Sequence, residues 1–481
     1  MKILFLSILI GSFPLFCFGQ TQNSIIFEKL EFKSFSGESI FYEYGTLQVL
    51  ENRKNKHSQL IDLAIFKLKA KTPRSQVPIV FLSGGPGESG IDYIKEEYFQ
   101  NLIFRLQKHH DIILLDQRGT GRSRPSLEFE LPDADNREIF NSKERIIDLW
   151  NEVADIGTLD FNKRRIDIKG YDTEQSADDL EDLRIALGVK RLNLLAFSYG
   201  THLALAAAKK YPSSIENMVL IGVSGLNHIH HLPSTYDIQL KKISELASKD
   251  SLINEQVPNM IDLLKRVLHE LEKEPVLIRV KDFRAKQMVT LPVDKFGLQL
   301  ILRLDAGDSN DFIYFPALLY GIENGDYRLL QKYAERRYNQ FNGGSGSGIF
   351  AMRQASGATS ERYERIIKEG KTAILGNAMN TPDIYAGWKN IHLGDKFRES
   401  FTSDIRTLFV SGTMDSNTPA SNVEEIIEGF SNANHILVQN AGHEDILPNE
   451  QLHLSIISFF NNDQRISSKI FLPIPEFVPV F

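Results

Sequence analysis

Residues 191–210 read RLNLLAFSYGTHLALAAAKK, and the fold follows from them. Leu192 to Phe197 is a short apolar run suited to a strand buried on both faces, and Thr201 to Lys210 is an Ala/Leu-rich helix former. Ser198 therefore stands at the corner between strand and helix. Such a corner strains the backbone, so the residues two positions to either side must be small; here they are Ala196 and Gly200. The turn lifts the Ser198 hydroxyl off the sheet and leaves the Tyr199 N–H, at the helix start, free to bind developing negative charge. The usual pattern is G-x-S-x-G, and alanine at the first glycine position adds one methyl group while leaving the geometry attainable.

Working outward, the stretch before Ser198 alternates strand and helix. Ile25 to Lys71 alternates apolar and polar residues, as antiparallel strands at a sheet edge do. Val77 to Leu82 is an unbroken apolar strand ending in Ser83-Gly84-Gly85-Pro86-Gly87, whose glycines permit backbone N–H groups to converge on one spot. An ordinary Gly/Pro turn would look similar, but this position suits a second oxyanion donor from Gly84 or Gly85. His110 to Leu115 repeats the strand pattern and leads into Asp116-Gln117-Arg118-Gly119-Thr120-Gly121-Arg122-Ser123, whose spacing is that of no nucleotide-binding loop. Ser176 is expected to cap a helix bearing Leu180, Leu183 and Leu187 that Gly188 stops. The alternation predicts an α/β fold with a mainly parallel sheet covered on both faces.

After a strand over Met218 to Val223 the rhythm is lost until Arg406. Helical segments such as Ile261 to Leu271 and Asp326 to Arg337 lie between, with Gly343 to Gly348 reading as a flexible loop. The sheet resumes at Arg406 to Val410, followed by Ser411-Gly412-Thr413-Met414-Asp415. It continues at His435 to Val438, followed by Ala441-Gly442-His443-Glu444, and a closing helix bears Leu452, Ile456 and Phe459. Ser198, Asp415 and His443 thus occur in the order Ser, Asp, His, each beyond the carboxyl end of a predicted parallel strand. A serine hydroxyl is a poor nucleophile until an imidazole takes its proton, and a carboxylate fixes the tautomer of that imidazole. Individually, Asp415 reads equally as a turn residue and His443 as a loop residue; their order at three strand ends favours a triad. An active base must be neutral, so activity is expected to fall below about pH 6.5.

The 481 residues are long for one core; 42% are hydrophobic and 24% charged, as in an ordinary globular protein. Lys2 followed by the apolar run Ile3 to Phe18 reads as a secretory signal peptide over residues 1–19, with cleavage before Gln20. A lipid anchor at Cys17, the single cysteine, is disfavoured by Phe16. A secreted or periplasmic protein without disulfides, without stable membrane insertion and relying on its core is expected. The formal net charge of −7 does not suit nucleic acid, and no Cys/His spacing suggests a metal. His228, His230 and His231 lack a matching ligand pattern, and His202 reads as a packed residue. No cofactor is expected, and the oligomeric state stays open.

GGPG, DQRGTGRS, FSYGT, SGTMDSNTP and AGHE together resemble the secreted proline iminopeptidase and tripeptidyl aminopeptidase group of α/β-hydrolases, and MRQASGATSERYERI and LGDKFR add to the likeness. The resemblance implies a serine peptidase acting on peptide amino termini beneath a mostly helical cap, with Ser198 as nucleophile, Asp415 as acid and His443 as base. It implies an α/β-hydrolase core over 20–225 and 397–481 with a large helical cap insertion over 226–396. Acidic side chains hold the substrate ammonium in such enzymes, and Asp305, Asp308, Asp311, Glu323, Asp326 and Glu444 are the candidates here. The expected substrate is a peptide, and the group expected to be released from its amino terminus is proline or a short peptide. An esterase or other hydrolase of the same fold, or an inactive binding protein on the scaffold, remain the alternatives.

Overall fold

The computed structural model describes residues 25–378, 386–389, 392–462 and 467–480; the signal peptide expected over 1–19 lies outside them. Its strands in chain order are β1 (Ile26–Lys33), β2 (Ser39–Leu50), β3 (Leu60–Leu68), β4 (Ile79–Leu82), β5 (Ile112–Leu115), β6 (Glu128–Glu130), β7 (Leu192–Phe197), β8 (Ile215–Ile221), β9 (Val276–Asp282), β10 (Gln287–Val293), β11 (Ser345–Ser347), β12 (Arg406–Gly412), β13 (Ala433–Gln439) and β14 (Lys469–Phe471).

Ten of these form one sheet in the order β1-β2-β3-β5-β4-β7-β8-β12-β13-β14. β1, β2 and β3 pair antiparallel and β3 joins β5 antiparallel; from β5 to β14 every pairing is parallel. The alternating amino-terminal strands and the unbroken apolar ones after them predict this division, because a parallel strand under helices must be apolar on both faces. One face packs against the helices Glu97–Leu106 and Glu450–Phe460, the other against Thr173–Ala186 and Tyr199–Lys210.

Between β8 and β12 the chain leaves the sheet for a mostly helical insertion. Its longest helices among the described residues are Pro233–Ala247, Met260–Lys273, Lys295–Asp305, Arg328–Phe341 and Ser360–Gly370. The insertion also holds an antiparallel hairpin of β9 and β10. The alternation in VLIRVKD is the signal for it, and Asp282 Oδ1 closes the turn by accepting from the Arg284 and Ala285 N–H groups at 2.9 and 2.8 Å.

Two local expectations need correction. The helix Thr173–Ala186 is capped by Asp172, whose side chain accepts from the Gln175 N–H, so Ser176 lies within it. Asp and Ser cap equally well, and Asp172 sits one turn earlier. The Gly/Ser-rich passage is also no flexible loop, since β11 pairs with β6. Its glycines meet packed rings: a Cβ on Gly346 would lie 2.4 Å from Phe129 and one on Gly348 2.6 Å from Phe161. Close approach, not flexibility, requires glycine there.

Candidate active site

The β7-to-helix corner is strained as the sequence implies. Ser198 adopts φ 53° and ψ −122°, a region that costs an L-residue energy and persists only where the surroundings fix it. Gly200 is needed because a Cβ there would stand 2.1 Å from the Leu82 carbonyl oxygen, whereas Ala196 packs fully buried in the core. Tyr199 opens the following helix, so its N–H has no partner within that helix.

His443 begins a short helix after β13, and its Nε2 lies 3.0 Å from Ser198 Oγ. Its Nδ1 lies 2.8 Å from Asp415 Oδ2, on the turn after β12. Asp415 is locked in turn: Oδ1 accepts from the Asn417 and Thr418 N–H groups, each at 2.8 Å, and Oδ2 accepts from the Thr418 hydroxyl at 2.6 Å. The imidazole stacks on Phe197 with centroids 5.0 Å apart, and Gly222 at φ 62° leaves room for it, since a Cβ would meet His443 Cε1 at 3.1 Å. The insertion braces the same loop, because the His443 N–H donates to the Gly307 carbonyl at 2.8 Å. Lys242 and Gln239, on the helix Pro233–Ala247, donate to the carbonyls of Thr413 and Met414 beside the acid. Three side chains far apart in sequence are thereby held in one hydrogen-bonded line.

Electrostatics follow from this burial. Loss of water alone would raise the Asp415 carboxyl, but the His443 ring and the Thr418 hydroxyl hold it below the usual carboxylate range. For His443 burial disfavours the charged ring, yet Asp415, and then Glu444 and Glu88, outweigh it and raise the pKa to about 9. Glu444 is itself raised, by loss of water and by the like charges of Glu88 and Asp308, against the pull of His443.

A cavity of about 300 Å³ opens at Ser198, and Gly85, Tyr199, His443 and Glu444 line it. Gly84 lies against the nucleophile, a Cβ there falling 3.1 Å from Ser198 Cβ. Gly84, Gly85 and Tyr199 thus lie around Ser198. The Tyr199 phenol turns away, to Thr173 Oγ1 at 2.8 Å and Met352 Sδ at 2.7 Å.

Of the six acids expected to meet a substrate ammonium, the cavity wall includes Glu444 alone. Glu323 pairs with Arg266 at 2.7 Å, and Asp326 pairs with Arg328, both near the surface. Asp305 is buried between Arg336 and Arg337, and Asp311 pairs with Arg336 at 2.7 Å. Asp308 caps the short helix Ser309–Phe312 through the Asn310 N–H. Those five carboxylates already have protein partners, a use that a helix-face charge pattern does not distinguish from ligand binding.

The cavity also recruits Glu88, Arg303 and Arg353, which sequence reasoning missed. Glu88 had a signal, for it follows the GGPG loop directly. His202 is buried, with its Nδ1 3.0 Å from the Gly225 carbonyl oxygen and its Nε2 3.1 Å from Ser356 Oγ, a packed residue as expected. His228 meets Glu425 at 2.7 Å, and no cluster able to hold a metal occurs among the described residues. Nor does any helix among them have the length and apolarity to cross a membrane.

A sequence model described as the alpha/beta hydrolase fold matches residues 77–450, which include the three residues of the line. The chain belongs to the α/β-hydrolase fold family. A putative hydrolase YuaR of Escherichia coli (strain K12) is 32% identical over 172 residues, covering 36% of this chain and 32% of that protein. A proline iminopeptidase of Xylella fastidiosa (strain 9a5c) is 28% identical over 182 residues, 38% of this chain and 40% of that one. A tripeptidyl aminopeptidase of Streptomyces coelicolor is 30% identical over 179 residues, 35% of this chain and 32% of that one. The chain thus spans about a third of the length of the curated relatives it matches. As an α/β-hydrolase resembling proteins named for aminopeptidase activity, it agrees with the resemblance drawn from GGPG, FSYGT and AGHE.

Proposed function

We propose that this chain is an exported serine aminopeptidase that releases proline or short peptides from peptide amino termini through an acyl-enzyme. The single observation that carries the hydrolytic part is the line from Ser198 Oγ to His443 Nε2 at 3.0 Å and from His443 Nδ1 to Asp415 at 2.8 Å. In this reading His443 takes the Ser198 proton as the oxygen attacks the substrate carbonyl, and the imidazolium formed is held by Asp415. The carbonyl oxygen, now an anion, is met by the N–H groups of Tyr199 and the Gly84-Gly85 loop. His443 then gives its proton to the leaving amine, and a water attacks the acyl-enzyme by the same route. The insertion over 226–396 serves as a cap, consistent with the donation from His443 N–H to Gly307. Export rests on the apolar run from Ile3 to Phe18.

The aminopeptidase part rests on Glu88 and Glu444, which border the cavity beside the base and suit a substrate ammonium. A test compares peptide amides carrying a free or an acetylated amino terminus. The free form should turn over tenfold faster or more, because an ammonium bonded to a carboxylate contributes about 1.5–3 kcal/mol. Equal rates would instead favour an esterase or an endopeptidase.

pH dependence adds a second check. With His443 raised to about 9, more of it is protonated at neutral pH than the ordinary value implies, so the acid limb of kcat/KM should lie above the pH 6.5 expected of free imidazole. A substrate α-amine loses its proton near pH 7.7–8.0, so a free-amine substrate should also show an alkaline limb that its acetylated counterpart lacks. Glu444→Gln removes one of the charges that raise His443 and should move the acid limb downward. An acid limb unmoved in that variant would contradict the assignment.

A further inference from the structure

Between the helices Lys295–Asp305 and Ser309–Phe312 the insertion makes the short turn Ala306-Gly307-Asp308, which lies against both the loop of the base and the turn of the acid. Toward the base, the Gly307 carbonyl accepts from the His443 N–H at 2.8 Å. Next to it the Ser309 hydroxyl donates to Asp445 Oδ1 at 2.8 Å, while Asp445 Oδ2 accepts from the Gly442 N–H at 2.7 Å. Glycine at 442 admits this approach, since a Cβ there would stand 2.8 Å from the Gly307 oxygen and 3.1 Å from the Ser309 nitrogen. Toward the acid, a Cβ on Gly307 would stand 3.1 Å from Ser416 Oγ and from the Asn417 side chain. The cap turn is thus in close contact on both sides.

One buried amide closes the arrangement. Gln239, on the helix Pro233–Ala247, is 2% exposed, and its Nε2 donates to the Ala306 carbonyl at 2.8 Å and to the Met414 carbonyl at 2.6 Å. Ala306 adjoins Gly307, which holds the base, and Met414 adjoins Asp415. Both N–H bonds of the amide are therefore in use, one on each side of the contact. The core links the same two loops through the Met414 N–H and the Ala441 carbonyl at 2.9 Å. That bond spaces the backbones, whereas the 2.8 Å bond from His443 Nδ1 to Asp415 Oδ2 depends also on how each loop is tilted.

We propose that Gln239 is a positioning residue for the triad. By joining the cap to both loops it holds acid and base in register, so the insertion is part of the catalytic geometry and more than a cover over it. This rests on the Ser198–His443–Asp415 line of the proposed function and is independent of its aminopeptidase part.

The test is the rate at which a fluorophosphonate labels Ser198, followed across pH in the full-length protein. Gln239→Met keeps a side chain of similar length and removes both donors. It should lower the plateau rate by about tenfold or more, since a misplacement of about 1 Å can cost a hundredfold. The midpoint of the acid limb should also move down by about half a pH unit or more, because an Asp415 less well placed raises His443 less. The other charges that face the ring are Glu444 and Glu88, with Arg303 and Arg353 in the cavity wall, and the substitution alters none of them directly. A Gln239 that served stability alone would lower the melting temperature and leave that midpoint in place.

Gly307→Ala perturbs the same contact differently, for it retains Gln239 and sets a methyl group against Asn417. Plateau and midpoint should move in the same direction by less, and this variant decides the matter if Gln239→Met does not fold. An unmoved midpoint in folded Gln239→Met overturns the proposal, as does an unmoved midpoint in Gly307→Ala where the other variant is lost. If the native protein is not labelled, the hydrolase reading fails by itself. The titration of the His443 ring, followed by NMR in native and variant proteins, then carries the same comparison, and equal pKa values overturn the clamp.

Discussion

Replacing Ser198 by alanine is expected to lower kcat by about 10⁴–10⁶ while the fold persists, the range seen when a nucleophile is removed from a Ser-His-Asp set. The magnitude follows from what is lost. Among the described residues, His443 Nε2, 3.0 Å from Ser198 Oγ, has no other side-chain hydroxyl so placed from which to take a proton, and none there offers the covalent step a substitute oxygen. The protein should tolerate the change, because Ala is small enough for the φ 53° corner and the neighbouring Gly200 and Gly222 remain. Steady-state kinetics with a thermal unfolding control measure both halves. Activity within tenfold of the native enzyme would assign the chemistry to another residue.

Asp415→Asn is expected to cost about 10⁴ in kcat with little change in structure. Asp415 Oδ1 receives the N–H groups of Asn417 and Thr418, so the asparagine oxygen must face them and its NH₂ must face His443 Nδ1. Nδ1 then becomes an acceptor, the ring proton moves to Nε2, and no lone pair remains to take the Ser198 proton. The Thr418 hydroxyl loses its acceptor at Oδ2 as well. Loss of the carboxylate also removes the main influence raising His443, so the residual activity should show its acid limb at lower pH than the native enzyme. A loss below tenfold, or an acid limb that stays put, would separate Asp415 from the function of the base.

These effects concern the part of the molecule that was legible in the sequence. Ser198, Asp415 and His443 could be found because each follows an apolar run short enough for a buried strand, and a parallel sheet delivers such strand ends to one rim. Thr418 was less visible, being one more turn residue in SGTMDSNTP, although it ties the acid to its turn. Gly307 was invisible, since a backbone carbonyl that reaches another loop leaves no trace in residue type.

The cap was the least legible. Its helices show an apolar face, but apolar faces do not say which neighbour they meet, and the charges opposite them all look solvated. Asp305 and Glu323 therefore looked as suitable for a substrate as Glu444, and only packing distinguishes an acid between two arginines from one at the cavity wall. Arg303 and Arg353 escaped notice for the converse reason: on a helix-forming stretch an arginine reads as surface charge.

The most direct measurement is to treat the full-length protein with a fluorophosphonate, digest it, and locate the adduct by mass spectrometry. A single adduct on the peptide containing Ser198, formed more slowly as pH falls below the His443 value of about 9, is the result expected here. An adduct on another residue, or labelling that persists in Ser198→Ala, would contradict the assignment of Ser198 as the nucleophile.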